Sequence, residues 1–258
     1  MSRPTLVIGD VHGRSDLLRS LITAIHRRYG LDVDLFSTGD LIDRGPDSKD
    51  VVQLCIDHGI MSIIGNHETW MHQYLATGQF DSFALHKMMS GRATLQSYGV
   101  ESTSPGEIER TLKYKMPKAH VEYFLRLPMW RKIEVEGRVF FLNHAAVKKD
   151  AAFGRRHLSD EEIMNVIAKE SPASILWTSN SFKNPQFWHF KTACQVFGHS
   201  PTYDGQPIIT PHWIAVDSGC GVRRALLSAV ELGTGEVLQA HPLSDNERDS
   251  DGFTDMEL

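Results

Sequence analysis

Three times within the first 68 residues an apolar run breaks at a glycine followed by an aspartate or asparagine: Gly9-Asp10-Val11-His12-Gly13, Gly39-Asp40-Leu41-Ile42-Asp43-Arg44-Gly45 and Gly65-Asn66-His67-Glu68. The runs before them, at 6–8, 33–36 and 60–64, are short and apolar and read as buried strands. Helical patterns lie between them. Leu17, Leu18, Leu21, Ile22 and Ile25 share one face of a helix that Ser15 or Asp16 caps and Gly30 ends. Val51, Val52, Leu54 and Cys55 belong to a second helix after the Gly45-Pro46 turn. Strand-helix repetition of this kind predicts an α/β fold whose polar residues collect at the carboxyl ends of the strands, where open α/β sheets place ligands. No Gly-x-Gly-x-x-Gly follows the first strand and no Lys-Ser/Thr phosphate loop is present, which removes the usual signature of a nucleotide-binding sheet.

Residues 68–127 read as mainly helical. One helix opens at His67 and breaks near Gly78, weaker ones cover 91–98 and 108–114, and another over 117–127 stops at Pro128. We expect a helical insertion beside the site rather than a separate domain. The second half changes period. Segments 131–135 and 138–142 form a hairpin around Glu136-Gly137, strands at 195–197 and 213–216 follow, and 225–232 with 236–238 close the fold as a second hairpin. Two sheets packed face to face with flanking helices accommodate both halves. One catalytic domain is expected over 1–243. Segment 244–258, with six acids and one base, is expected to be a mobile tail.

A chain of 258 residues, 41% hydrophobic, is long enough for one large core. Its 32 acids against 27 bases exclude a strong electrostatic footprint for nucleic acid. No run approaches the ~18 apolar residues of a membrane span, so neither a nucleic-acid nor a membrane partner is expected. The first strand begins within five residues of Met1, which leaves no room for a secretory signal. Cys55, Cys194 and Cys220 fit no disulfide framework. These features favour a cytoplasmic location. Oligomeric state is not legible.

Asp10 and His12 offer a carboxylate and an imidazole suited to Mn, Fe or Zn. Asp40 can bridge two ions with its two oxygens, and Asn66 adds an amide oxygen without charge. His144, after Val139-Phe140-Phe141-Leu142-Asn143, and His199, after Val196-Phe197-Gly198, stand at two further strand ends and complete the set. Two such cations about 3.5–4 Å apart could hold a bridging hydroxide and polarise a phosphoryl group. Arg44 offers a planar donor fork for phosphate oxygens. His67 can protonate a leaving oxygen, with Asp43 accepting from its other ring nitrogen. Glu68 reads as a carboxylate behind the ligands or at a helix start. Metal-assisted phosphoester hydrolysis is the expected chemistry.

Together these motifs, with Gly198-His199-Ser200 and Asp217-Ser218-Gly219-Cys220, resemble the metal-dependent phosphoprotein phosphatases, a family of the calcineurin-like metallophosphoesterases. The resemblance covers roughly residues 5 to 232. It implies a four-layer α/β/β/α sandwich and two divalent ions, Mn2+ in assays with Fe or Zn as alternatives. It places Asp10 and His12 on one metal, Asp40 as the bridge, and Asn66, His144 and His199 on the other. It further implies an acid pair of His67 and Asp43, a phosphate clamp at Arg44, and in-line attack by metal-bound hydroxide without a phosphoenzyme. Compact length, Asp43-Arg44-Gly45 and Glu68 favour bacterial serine/threonine protein phosphatases, with phosphorylated proteins as substrates and small phosphoesters beside them. Diadenosine tetraphosphate hydrolysis is the alternative, and a non-catalytic metal-dependent binding protein a third. The chain departs from the family twice. His144-Ala145-Ala146 stands where His-Ala-Gly is usual. Trp177-Thr178-Ser179-Asn180-Ser181 lacks a second phosphate-binding arginine, a role for which Lys183, Arg155 and Arg156 are candidates.

Overall fold

The structure is a computed structural model describing residues 3–179, 181–222 and 225–242. The expected tail at 244–258 and Asn180 lie outside the described residues. Among the described residues ten strands form two five-stranded mixed sheets. In the first, β1 (Thr5–Ile8), β2 (Asp34–Ser37) and β3 (Met61–Ser62) run parallel, and the antiparallel hairpin of β9 (Leu227–Glu231) and β10 (Val237–Ala240) joins β1. The second takes β4 (Trp130–Val135), β5 (Arg138–Asn143), β6 (Ala193–Phe197), β7 (Ile208–Ile209) and β8 (Trp213–Ala215) in the order β4-β5-β6-β8-β7. Here β5, β6 and β8 are the parallel members.

Side-chain alternation along the strands explains the layering. Leu6 and Ile8 of β1 join a core with Leu17, Leu21 and Ile25 of α1 (Ser15–Tyr29) and Val51 of α2 (Ser48–Asp57). Val7 between them faces the other way and packs with Phe140, Leu142, Val196 and Ile214 of the second sheet. Phe141, between Phe140 and Leu142, turns outward again to Ile163, Met164 and Ile167 of a helix over Asp160–Glu170. Three cores therefore separate four layers, and the fold is an α/β/β/α sandwich.

The middle segment contains α3 (Glu68–Thr77), a single-turn helix (Ser82–Leu85), α4 (Arg92–Ser97), α5 (Pro105–Lys115) and α6 (Lys118–Leu125). Trp70, Leu95, Ile108 and Phe124 from these helices share the core of Leu6 and Ile8, so the segment belongs to the first helical layer. Three helices, α7 (Lys149–Ala152), α8 (Asp160–Glu170) and α9 (Ala173–Leu176), cover the second sheet, where the pattern reading places no element. Two local expectations are corrected. Neither Ser15 nor Asp16 caps α1: Arg14 is the N-cap residue and makes no side-chain cap bond, Ser15 Oγ reaches Asp47 at 3.3 Å, and Asp16 pairs with Arg14. The third strand is two residues long rather than five. Beyond Ser62 the ladder gives way: the Ile64 N–H donates to Pro128 rather than to β2.

Candidate metal centre

Six strand ends deliver the candidate residues to one edge of the sandwich. β1 leads to Asp10 and His12, β2 to Asp40, Asp43 and Arg44, and β3 to Asn66 and His67, whereas β5, β6 and β8 lead to His144, His199 and Asp217. The chain must turn abruptly there. His12, Asp40, Asp43, Arg44 and His199 all adopt positive φ, between 49° and 70°, a conformation that is uncommon outside glycine and that gathers at functional sites. Two glycines allow the close approach. A Cβ on Gly65 would lie 2.2 Å from Asp40 Oδ1, and one on Gly198 would lie 2.0 Å from Asp10 Oδ1.

Asp40 stands at the centre. Its oxygens lie 3.4 Å from His144 Nε2, 3.6 Å from His12 Nε2 and 3.9 Å from His67 Nε2. Burial opposes its ionisation, but the imidazoles of His144, His67 and His12 hold it well below the usual carboxylate range. On one side His144 Nε2 is 2.9 Å from Asn66 Oδ1 and 3.1 Å from His199 Nδ1, which is itself 2.9 Å from Asn66 Oδ1. Two donor sets share Asp40: His12, Asp40 and His67 form one, and Asp40, His144 and His199 the other, each with its donor atoms within 4.8 Å of one another. Asp10 borders them, with Oδ1 accepting from Thr38 Oγ1 at 2.8 Å and Oδ2 from the His199 N–H at 2.9 Å.

Ring orientation separates the histidines. His12 Nδ1 lies 3.1 Å from the Ile42 carbonyl and His144 Nδ1 lies 2.8 Å from the Thr38 carbonyl, and the Trp177 backbone favours a proton on the His199 ring. A carbonyl only accepts, so the His12 and His144 rings donate there through Nδ1 and turn Nε2 into the site. His67 instead places Nδ1 2.9 Å from Asp43 Oδ2, a carboxylate. Asp43 is fully buried and fixed by Trp70 Nε1 at 3.1 Å and Thr94 Oγ1 at 2.6 Å. Burial and Arg44 favour neutral His67, yet Asp40 and Asp43 prevail and raise its pKa above the ordinary imidazole value. Arg44, exposed at the opening, places Nη1 2.9 Å from His12 Nε2 and Nη2 3.2 Å from His67 Nε2.

The donor set suits cations. The facing nitrogens of His144 and His199 and the Asn66 oxygen converge and need a positive charge between them, which a proton on His144 or a cation supplies. Burial works against a proton on His144, but the Asp40 and Asp10 carboxylates hold one there up to about 10, whereas burial and His144 push His199 down to about 4. Burial, then Asp217, drives Asp10 well above the usual carboxylate range, and burial lifts Asp217 to about 6. Such a cluster of buried acids and imidazoles is what a divalent ion relieves.

Four residues stand behind the donors: Glu68, as its sequence position suggests, and Thr94, Trp70 and Thr38, which only the structure shows. Glu68 accepts the N–H groups of Asp40, Leu41 and Gly65 at 2.8 Å each and of Ile42 at 3.3 Å, and so staples the second loop to the third. Thr94, Trp70 and Thr38 orient Asp43 and Asp10. Thr94 lies in a Gly91-Arg92-Ala93-Thr94 segment whose role no local pattern discloses. The Ala145-Ala146 variant is accommodated. The Ala145 N–H reaches the Ile175 carbonyl at 2.7 Å, and the Ala146 methyl is buried against Phe187 and Phe197. Arg155 is committed to Glu170 at 3.3 Å, and Arg156 stacks over Phe153 and Trp188.

The profile of the calcineurin-like phosphoesterases matches residues 3–207. Serine/threonine-protein phosphatase 2 of Escherichia coli K12 is 40% identical over 72 residues, 28% of this chain and 33% of that protein. The symmetrical bis(5'-nucleosyl)-tetraphosphatase of Neisseria gonorrhoeae is 38% identical over 66 residues, 25% of this chain and 24% of that protein. The match thus spans a third or less of either relative. Among solved structures, a candidate diadenosine tetraphosphatase superposes with TM-score 0.58 at 21% identity, covering 95% of this chain and 96% of that one. A Saccharomyces cerevisiae protein serine/threonine phosphatase superposes with TM-score 0.53 at 14% identity, covering 94% and 81%. These two likenesses establish the sandwich fold.

Proposed function

The chain belongs to the calcineurin-like phosphoesterases, and on that premise we propose a divalent-metal-dependent phosphoester hydrolase that acts chiefly on phosphorylated serine and threonine residues of proteins and also on small phosphoesters. The observation that carries the proposal is the contrast among the histidines: His12 and His144 donate through Nδ1 to neutral carbonyls and turn Nε2 toward Asp40, while His67 donates to a buried carboxylate.

In this reading Asp10, His12 and Asp40 hold one ion, and Asp40, Asn66, His144 and His199 hold the other. Manganese is the assay ion we propose, and Fe or Zn suits the same donors. Bound ions of this kind neutralise phosphate charge and make a water molecule more acidic. Asp43 keeps the Nδ1 proton of His67 and stabilises the charged ring. His67 then delivers its Nε2 proton to the leaving oxygen. His12 Nε2 has one lone pair and cannot both accept from Arg44 and hold an ion, so with an ion in place the Arg44 fork would be free to bind the non-bridging phosphate oxygens.

Arg44 is the one guanidinium among the described residues that contacts these histidines. A single clamp suits one phosphoryl group better than a polyphosphate chain. Dinucleoside polyphosphate hydrolysis is the second reading, favoured by the relative of that name. We also propose a cytoplasmic location, where three buried free thiols, Cys55, Cys194 and Cys220, stay reduced. Competition between phosphopeptides and diadenosine tetraphosphate in one manganese-containing assay tests the substrate class. Higher kcat/KM on several phosphopeptides supports the first reading, and a much larger value on the dinucleotide replaces it with the second.

A further inference from the structure

We infer that Phe83 and Trp177 form a rim that binds a flat aromatic ring carried on the leaving side of the phosphoester. The inference rests on the hydrolase proposal for where the phosphate sits. The rim itself rests on geometry. Trp177 follows α9, whose Ile175 carbonyl accepts the N–H of Ala145 beside His144 at 2.7 Å, and the Trp177 backbone favours a proton on the His199 ring, so the residue stands next to the candidate metal donors. Its indole reaches Phe83, with ring centroids 6.3 Å apart and planes at 57°. Phe83 comes from the opposite helical layer. The Ala84 carbonyl beside it accepts the Gly91 N–H at 2.8 Å, and a Cβ on Gly91 would lie 3.3 Å from Asp43 Oδ1. One ring is thus anchored on the His199 wall and the other on the Asp43 wall. Because His67 gives its proton from the Asp43 wall, the rim flanks the leaving group.

Both side chains are large, apolar and open to solvent, at 41% for Phe83 and 37% for Trp177, although each is carried on a segment whose backbone is bonded toward the buried site. His86 stacks on Phe83 at 5.5 Å and 12°, which holds that ring in place before any substrate arrives. Aromatic rings favour offset or edge contact with a further ring, and pre-positioned ones bind it at little cost in ordering. The phenol ring of phosphotyrosine and a nucleobase share this chemistry. The alkyl side chains of phosphoserine and phosphothreonine gain nothing from it, so the rim concerns the aromatic phosphoesters that the proposed hydrolase takes beside them.

Phenylphosphonate and methylphosphonate share a head group and differ by the ring. Their inhibition constants against the manganese-loaded full chain isolate the rim from the metals. The phenyl compound is expected to bind about tenfold more tightly. The preference should collapse toward unity in Phe83→Ala and Trp177→Leu, and persist in Trp177→Phe, which keeps a ring, and in Tyr114→Ala, an exposed aromatic elsewhere. AMP against ribose 5-phosphate forms the second arm. A larger ratio there than between the phosphonates identifies the nucleobase as the source of the ring, and a smaller one identifies phosphotyrosine. No ring preference in the native chain, or parallel loss of both phosphonates with the ratio intact, overturns the rim. The same ratios read by calorimetric binding keep the test decisive should the chain hydrolyse no phosphoester, an outcome that would refute the hydrolase proposal alone.

Discussion

Removing the Glu68 carboxylate should unlock the second and third loops together. Its two oxygens accept four main-chain N–H groups, from Asp40, Leu41, Ile42 and Gly65, at a position with no solvent exposure. Burial, with the Asp40 charge next, raises its pKa to about 7, and the donated N–H groups oppose that shift. Each buried donor left without a partner costs roughly 1–3 kcal/mol. In Glu68→Ala, water entering the vacated volume can satisfy about half of the four, which leaves a loss of roughly 4 kcal/mol. At roughly 2–4 °C per kcal/mol for a domain of this size, Tm should fall by about 8–16 °C. Glu68→Gln keeps the volume but sets an amide NH2 against two N–H donors, so it should lose somewhat less. Calorimetry on chelated protein isolates this effect from metal binding, and hydrogen exchange at residues 40–42 and 65 localises it. A fall of less than about 3 °C in Glu68→Ala, roughly 1 kcal/mol, with protection at those amides unchanged, would refute the reasoning.

Asp40→Asn should weaken uptake of both ions, whereas His67→Asn should retain metal and slow cleavage by roughly 10²–10⁴-fold, most for poor leaving groups. Metal content measured beside rates on aryl and alkyl phosphates separates the two; if both variants lose metal alike and the residual rate ignores leaving-group pKa, His67 is a ligand and not the acid. Thr94→Val removes the hydroxyl on Asp43 Oδ1 but leaves Ser48 Oγ on the Asp43 N–H. It should lower kcat by about tenfold through a misplaced His67 at unchanged metal content, and a wild-type kcat would remove Thr94 from the account. Metal uptake near neutral pH should release a proton, because His144, held protonated to about 10 by Asp40 and Asp10 against the effect of burial, must bind as the neutral ring. Affinity should therefore rise with pH up to that value, and pH-independent affinity between 6 and 9 on titration in weak buffer, about three decades in proton concentration, would contradict it.

The strand-end positions of Asp10, Asp40, Asn66, His144 and His199 were legible because each sits where an apolar run meets glycine or a short polar turn, and parallel strands bring such ends to one edge. The change of period between the two halves accommodates two sheets face to face, and the four-layer sandwich itself was legible through the family resemblance. What sequence hid is long-range or local in a different sense. Thr94 reaches Asp43 across 51 positions, and Trp177 reaches Phe83 from the other helical layer. Helix α8, by contrast, carries its own start signal. Ser159 and Glu162 form a capping box ahead of Ile163, Met164 and Ile167, a spacing readable without coordinates. The short β3 shows the limit of apolar runs: Ile63 packs between the sheets with its N–H 3.3 Å from the Ser37 carbonyl, but Ile64, also buried, donates to Pro128 and ends the pairing.

The central claim is that this edge of the sandwich holds two divalent ions and hydrolyses phosphoesters with them. Chelated full-length chain, titrated with manganese while phosphate release is followed on phosphopeptides, an aryl phosphate and diadenosine tetraphosphate, tests it directly. The account predicts no turnover without metal, saturation near two ions per chain and activity that appears with the second ion. Saturation with both ions and no phosphate released from any of these substrates would contradict it.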